Sequence, residues 1–197
     1  MRTRRSRLST LVLLPGWHDS GTNHWQTLWP QVHQSDHGAW IRVDQDDWEW
    51  PRRGDWMMRL DETLLAHSEL TDQPAVLVAH SLGCHLVAAW ATHSRHIDRV
   101  CGAWLVAPPD LDAPERLDTL PPQLHGWIKV PRLRLPFDAC VLASSTDSYS
   151  SLARAERLAQ DWGASFVDLG PQGHVNEDSG HGPWPEGWSL LQDWLQT

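Results

Sequence analysis

The segment Ala-Val-Leu-Val-Ala-His-Ser-Leu-Gly-Cys, residues 75–84, constrains the fold of this chain more than any other. Its Val-rich first half has the length and composition of a buried strand, and a helical pattern begins directly after Ser81. A strand, an exposed serine and a helix in this order are typical of a nucleophile elbow, a sharp and strained turn. Ala79 and Gly83 supply the small side chains that such a turn needs. The alternative is a serine that merely caps a helix.

Six short β-rich runs alternate with helical patterns. The predicted strands lack polar alternation, which indicates burial on both faces; they are Leu11–Leu14, Trp40–Val43, Val76–Ala79, Gly102–Val106, Cys140–Ala143 and Ser165–Leu169. Helical stripes lie between and after them, starting near Trp25, Met57, Leu82, Leu152 and Trp188. Asp55 is a candidate cap, Gly163 a candidate helix end, and Pro30 should bend or shorten the first helix. The pattern predicts a single-domain α/β fold with about six parallel strands, flanked by helices on both faces.

Two long connections do not fit this alternation. Residues 44–55 are acidic and rich in tryptophan, and residues 108–136 contain seven prolines without a sustained period. Connections of this length are often functional, so we expect each to form a binding wall or a small lid. The chain has 14 tryptophans, and we expect a few of them to line a pocket while most pack in the core or lie on the surface.

Charge and composition exclude several classes of function. Acidic residues outnumber basic ones, 25 to 16, which argues against nucleic acid or an anionic membrane as a partner. Residues 1–7 are rich in arginine and are predicted to be a solvated tail ahead of a domain at 8–197. The apolar run after this tail is too short for a signal peptide or a membrane span. Three widely spaced cysteines, Cys84, Cys101 and Cys140, suggest buried thiols in a soluble cytoplasmic protein.

Candidate catalytic partners of Ser81 follow the last two predicted strands. Asp147 comes after the fifth strand and His174 after the sixth. Because parallel strands end at one edge of a sheet, we expect the three side chains to converge there. Serine, acid and histidine in this order are typical of a hydrolase triad. Asp110 or Asp112 are alternative acids, and His181 is an alternative base.

An oxyanion hole is expected beside Ser81. The backbone N–H of Leu82 opens a helix, and that of Trp17 follows a glycine turn after the first strand. His18 and Trp25 are candidate pocket residues.

Three nearby residues are not given a catalytic role. Cys84 lies a helical turn beyond Ser81, so packing is the better interpretation. His80 and His85 are spaced poorly for one helical face, and no acidic residue completes a zinc motif, so no metal site is predicted.

The ordered set of motifs resembles the retinoblastoma-binding protein 9 type of small serine hydrolases in the α/β-hydrolase superfamily. The matching segments are Leu14–Trp17, Asp19-Ser20, His24–Gln26 with Trp29, Ala79–Cys84, Asp147 with Tyr149, Asp161–Gly163, Gly173–Asn176, Ser179-Gly180 and Trp184–Gly187. The resemblance implies a compact, lidless enzyme with a Ser81, Asp147 and His174 triad, small ester or amide substrates and no cofactor.

Departures from this family pattern are local. His18 stands where glycine is frequent, Thr146 where asparagine is common, and Ser148 where proline is common. The segment Leu82–Leu86 lacks the glutamate of a Leu-x-Cys-x-Glu retinoblastoma-binding motif, so that role is not transferred and protein partners stay open. The sequence therefore predicts a serine hydrolase that forms an acyl-enzyme. The alternatives are a catalytically idle fold used for protein binding and an acyltransferase.

Overall fold

A computed structural model describes residues 9–34, 38–129 and 131–197; the predicted tail at residues 1–7 lies outside them. Its centre is a sheet of six strands, which are β1 Leu11–Leu14, β2 Trp40–Arg42, β3 Ala75–His80, β4 Val100–Val106, β5 Asp138–Ala143 and β6 Ser165–Asp168. Their order in the sheet is β2-β1-β3-β4-β5-β6, and every pair of neighbouring strands is parallel. The predicted α/β class and the six parallel strands are confirmed.

Five α-helices connect and follow the strands in the described part of the chain. They are α1 Trp25–Val32, α2 Arg53–Ser68, α3 Leu82–His93, α4 Leu152–Trp162 and α5 Pro185–Leu195. The backbone of Gly163 is left-handed after α4, as a helix end requires. The prediction that Asp55 caps α2 is wrong, because the helix begins at Arg53 and Asp55 lies in its first turn. In this position its negative carboxylate still interacts favourably with the positive, N-terminal end of the helix dipole.

Helices cover both faces of the sheet because successive strand residues point to opposite sides. In β1, Val12 and Leu14 belong to one apolar core, which includes side chains of α2, α3 and α4. Leu11 and Leu13 belong to a second core, which includes side chains of α1 and α5. Both faces of the sheet are therefore dry, in agreement with the continuous apolar runs in the sequence.

The two long connections differ in role. Residues 108–136 form two 3₁₀ turns, Pro114–Thr119 and Pro122–Trp127, and several of their side chains line a cavity. No residue of the 44–55 segment lines that cavity, so the expectation of a wall or lid is wrong for this segment. It packs instead behind Trp17, whose Nε1–H donates to the carbonyl of Glu49.

Two further expectations from composition are qualified by the structure. Cys84 and Cys140 are buried free thiols, but Cys101 is only half-buried. None of the helices in the described ranges is long and apolar enough to cross a membrane.

Candidate active site

A cavity of about 780 Å³ lies at the carboxyl edge of the sheet. Its floor is formed by residues that directly follow β1 and β3, including Gly16 and Ser81. The chain leaves β1 toward β2 on one side and returns to β3 on the other, so this is the point where the strand order reverses. Open parallel sheets bind ligands at such a point.

Ser81 occupies a strained turn between β3 and α3. Its φ of 53° and ψ of −123° are unfavourable for a residue with a side chain. Two glycines make room for the turn: a Cβ on Gly16 would lie 2.7 Å from that of Ser81, and one on Gly83 would lie 2.4 Å from the carbonyl oxygen of Leu14. The close approach of strand and helix that the elbow pattern predicts is therefore present.

Ser81, His174 and Asp147 form a continuous hydrogen-bonded chain. The Oγ of Ser81 lies 2.9 Å from Nε2 of His174, and Nδ1 of His174 lies 3.0 and 2.9 Å from the two carboxylate oxygens of Asp147. The side chain of Asp147 is 2% exposed and that of His174 is 11% exposed. This arrangement can take the serine proton on Nε2 while the carboxylate holds the imidazole from the other side.

The alternative acids are paired with arginines rather than with a histidine. Asp110 is hydrogen-bonded by Arg154 at 2.5 and 2.9 Å, and Asp112 is bound by Arg132 and Arg154. Burial opposes ionisation of Asp110, but the hydrogen bonds and positive charge of Arg154 outweigh it and lower its pKa. Both carboxylates thus belong to an ion-pair network that joins residues 108–136 to Arg154 of α4.

His181 and Cys84 also have other partners. His181 is buried, contrary to the exposed context that its glycine neighbours suggest, and its Nε2–H donates to Oε1 of Gln172. The thiol of Cys84 donates to the carbonyl of Val106, and burial raises its pKa well above the usual value. A protonated, buried thiol is a poor nucleophile.

Side chains hold the histidine loop, residues 172–175, at four consecutive positions. Oxygen atoms of Ser144 and Thr146 accept the N–H groups of residues 172 and 173 at 2.8 and 3.0 Å. Nε2–H of His80 donates to the carbonyl of His174, and Nε1–H of Trp25 donates to that of Val175, both at 2.9 Å. These contacts fix the ring of His174 relative to Ser81, although Val175 has a strained φ of 52°.

Trp25 is therefore not a pocket residue. It is fully buried behind the histidine loop and does not line the cavity, because its ring packs against those of Trp29 and Trp184. Trp17 is the tryptophan that does line it.

His18 lines the cavity mouth in a left-handed conformation, with φ 66°. Its ring stacks on Trp17 at 4.0 Å, and Nδ1 lies 3.2 Å from a carboxylate oxygen of Glu49. Glycine adopts this backbone without steric cost, which accounts for its frequency at this position in the family that the sequence resembles.

The backbone N–H groups of Trp17 and Leu82 lie in the two segments that form the cavity floor. Leu82 is the first residue of α3, so its N–H has no acceptor within the helix. Among the described residues, the N–H of Trp17 donates to no other backbone group. Both groups are thus available to an oxygen atom in the cavity.

Three buried histidines surround this edge of the sheet in neutral form. Burial, with a contribution from Arg42, lowers the pKa of His24 to about 3. Burial lowers the pKa of His80 well below its usual value, and that of His85 to about 4. The rings of His80 and His85 donate to carbonyl oxygens, that of His85 to Pro109 at 2.6 Å.

Some supporting residues were not predicted from the sequence. Gln26 is fully buried, and its Nε2 donates to the carbonyls of Leu14 and Val78, which joins α1 to the ends of β1 and β3. The sequence does contain an indication of this role, because a glutamine stands on the apolar face of the predicted helix. No sequence pattern indicates a role for Arg116, which lies on the cavity wall formed by residues 108–124.

Comparisons with known proteins agree with this architecture. YdeN of Bacillus subtilis strain 168, named only as a candidate hydrolase, is 24% identical over 187 residues, which are 94% of this chain and 95% of YdeN. A YdeN-like hydrolase from Pectobacterium atrosepticum SCRI1043 has a crystal structure that matches with a TM-score of 0.76 at 28% identity. The match covers 96% of this chain and 91% of that one.

The esterase domain of a Rhodothermus marinus protein matches with a TM-score of 0.67 at 16% identity, over 96% of this chain and 86% of that one. At this identity the likeness concerns the fold alone. The model of the family described as serine hydrolase matches residues 11–193, almost the whole chain, and the protein therefore belongs to the serine hydrolase family.

Proposed function

We propose that this protein hydrolyses small carboxylic esters or amides through an acyl-enzyme on Ser81. The observation that carries the proposal is the hydrogen-bonded chain from Ser81 through His174 to Asp147 beside an open cavity. Such a chain activates a serine hydroxyl, which is a weak nucleophile without an adjacent base.

In the proposed reaction, Ser81 Oγ attacks the substrate carbonyl while Nε2 of His174 takes its proton. Asp147 keeps the imidazole in the correct tautomer and stabilises the cation that forms. The N–H groups of Trp17 and Leu82 stabilise the oxyanion. Collapse of the intermediate breaks the bond to the leaving group, which receives the proton from His174. Water, deprotonated by the same histidine, then releases the acid and restores Ser81.

Several observations support small substrates and a simple hydrolase. The cavity volume lies in the range of small-molecule sites. The Rhodothermus neighbour is named as an esterase, and the sequence motifs resemble the retinoblastoma-binding protein 9 type. The proposed chemistry uses only groups of the protein itself and water. Three free cysteines are consistent with a cytoplasmic location.

A fluorophosphonate probe and p-nitrophenyl acetate test the proposal. We expect the probe to label wild-type protein and Ser145→Ala, which alters an exposed serine beside the site, but not Ser81→Ala. Turnover by Ser81→Ala should fall by roughly 10⁴-fold or more. An unlabelled, inactive wild type would instead support an idle fold used for binding. Ester products formed with an added alcohol, in place of free acid, would support an acyltransferase.

A further inference from the structure

The cavity wall carries one cationic side chain amid several acidic ones. Arg116 is the one arginine or lysine among the described residues that line the cavity. The lining also contains four carboxylates, those of Asp19, Asp110, Glu177 and Asp178. Two of them are already neutralised, since Asp19 pairs with Arg42 and Asp110 pairs with Arg154.

Arg116 has no such partner in the described part of the chain. Its guanidinium donates to the carbonyl oxygen of Ser148, and no carboxylate of the described residues lies within ion-pairing distance of it. A carbonyl oxygen uses one of the five N–H donors of the guanidinium and leaves its charge uncompensated. The planar group is thus free to bind a carboxylate through two parallel hydrogen bonds.

Arg116 lines the same cavity as Ser81 and His174. Its acceptor, Ser148, directly follows Asp147, and the ring of the next residue, Tyr149, lies 4.5 Å from that of His174. The same 108–124 wall contributes the apolar side chains of Leu120 and Leu124 to the cavity. A substrate that reacts at Ser81 can therefore lay a short apolar chain on this wall and reach Arg116 with its end.

Two carboxylates elsewhere in the cavity disfavour the binding of a negatively charged substrate group away from Arg116. Glu177 and Asp178 are exposed, follow the histidine loop, and form no ion pair among the described residues. Glu177 lies against Gly21, in the segment after β1, rather than against the 108–124 wall. Repulsion from these two groups would direct an anionic substrate toward Arg116 and fix its orientation.

We infer that Arg116 binds a free carboxylate of the substrate, so that the preferred substrates are esters or amides carrying a second, unesterified carboxylate. The inference rests on the proposed hydrolase function and adds the substrate class to it.

The test compares substrates that differ only in charge. In the first pair the charge difference lies in the acyl group; its members are monoethyl adipate and its neutral monoamide counterpart. In the second pair the charge difference lies in the leaving group; its members are 3-carboxyphenyl acetate and 3-carbamoylphenyl acetate. We measure kcat/KM for wild type, Arg116→Gln and Arg95→Gln, an exposed arginine outside the cavity. Glutamine removes the charge and keeps a polar side chain with two N–H donors, although this side chain is shorter.

For wild type and Arg95→Gln we expect kcat/KM to be about tenfold higher for the carboxylate member than for the neutral member of at least one pair. The pair that shows this preference identifies which side of the ester faces Arg116. The preference should shrink at high salt and vanish in Arg116→Gln, while hydrolysis of the neutral members persists. Equal rates within both pairs, a preference for the neutral members, or a preference that survives in Arg116→Gln would overturn the inference. Absence of all hydrolysis together with absent fluorophosphonate labelling would instead contradict the proposed function.

Discussion

At the scale of single residues, backbone strain is concentrated around the cavity. The described non-glycine residues with positive φ are His18, Asp19, Ser81, Ala107, Val175 and Trp184. Three of them line the cavity, and Val175 directly follows His174. Each such conformation costs on the order of 1–3 kcal/mol and persists only where surrounding contacts over-determine it. At Val175 the hydrogen bond from Trp25 is one of these contacts.

Buried neutral histidines make stability depend on pH. Above pH 6.5, His85 is neutral in both the folded and the unfolded chain and contributes nothing to the dependence. Below pH 6.5 the unfolded chain binds a proton that the folded chain, with a pKa of about 4 at this residue, does not. Stability should therefore fall as the solution is acidified, and between pH 7 and pH 5 His85 should account for a loss of about 2 kcal/mol.

Urea unfolding at pH 7 and pH 5 measures this contribution. The difference between the two unfolding free energies should be about 2 kcal/mol smaller in His85→Gln than in wild type. His125→Gln, which replaces an exposed histidine, serves as control. An unchanged pH dependence in His85→Gln would show that the folded protein protonates this ring.

The sequence predicts the residues that the structure joins in the hydrogen-bonded chain, because strand ends can be located from hydrophobic patterns. Ser81, Asp147 and His174 each follow a strand. The contacts that hold them are less predictable. His80 and Trp25 donate to carbonyls that lie more than 90 positions away in the chain, and no local pattern specifies which carbonyl a ring N–H will reach.

At the scale of elements, helix α1 supports the histidine loop through one indole group. Trp25→Phe removes the hydrogen bond to the carbonyl of Val175 and keeps most of the ring packing. We expect kcat for a p-nitrophenyl ester to fall about tenfold with little change in KM, because a misplaced base slows the chemical step rather than binding. The unfolding free energy should fall by about 1–2 kcal/mol.

Trp29→Phe is the matched control. Trp29 lies on the same helix, is equally buried, and donates to the carbonyl of Pro183 at 2.8 Å, away from the histidine loop. This variant should lose comparable stability and retain kcat. Equal losses of kcat in the two variants would mean that α1 affects catalysis only through general stability.

The predicted and observed element boundaries agree where side-chain burial determines them. The strand predictions are correct within two residues at each end, since apolar runs stop where the sheet stops. The two 3₁₀ turns within residues 108–136 were not predicted, because seven prolines remove the periodicity on which such predictions depend. Segment 44–55 does not form a wall, because Trp48 packs against Trp56 of α2 and Trp50 is exposed, and neither of them lines the cavity.

At the scale of the whole molecule, tryptophans join the loops to the two cores. Indole N–H groups of fully buried rings donate to loop carbonyls, as Trp127 does to Pro51 at 2.6 Å and Trp162 to Pro131 at 3.1 Å. A large ring thus fills the core while its single donor satisfies an irregular backbone segment. This use of tryptophan explains how a chain with long connections, two phenylalanines and one tyrosine packs both faces of its sheet.

Two tryptophans allow the contribution of such an N–H to be measured. Trp127 and Trp104 are both fully buried, but Nε1 of Trp104 has no hydrogen-bond partner among the described residues. Replacement by phenylalanine removes the same ring volume from each core. At Trp127 it also leaves the buried carbonyl of Pro51 without its donor, whereas at Trp104 it removes an unsatisfied donor from the interior.

We expect Trp127→Phe to lose about 1–3 kcal/mol more unfolding free energy than Trp104→Phe, as measured by urea denaturation with unchanged m-values. Equal losses would mean that ring packing alone, and not the indole hydrogen bonds, holds the loops of this protein against its cores.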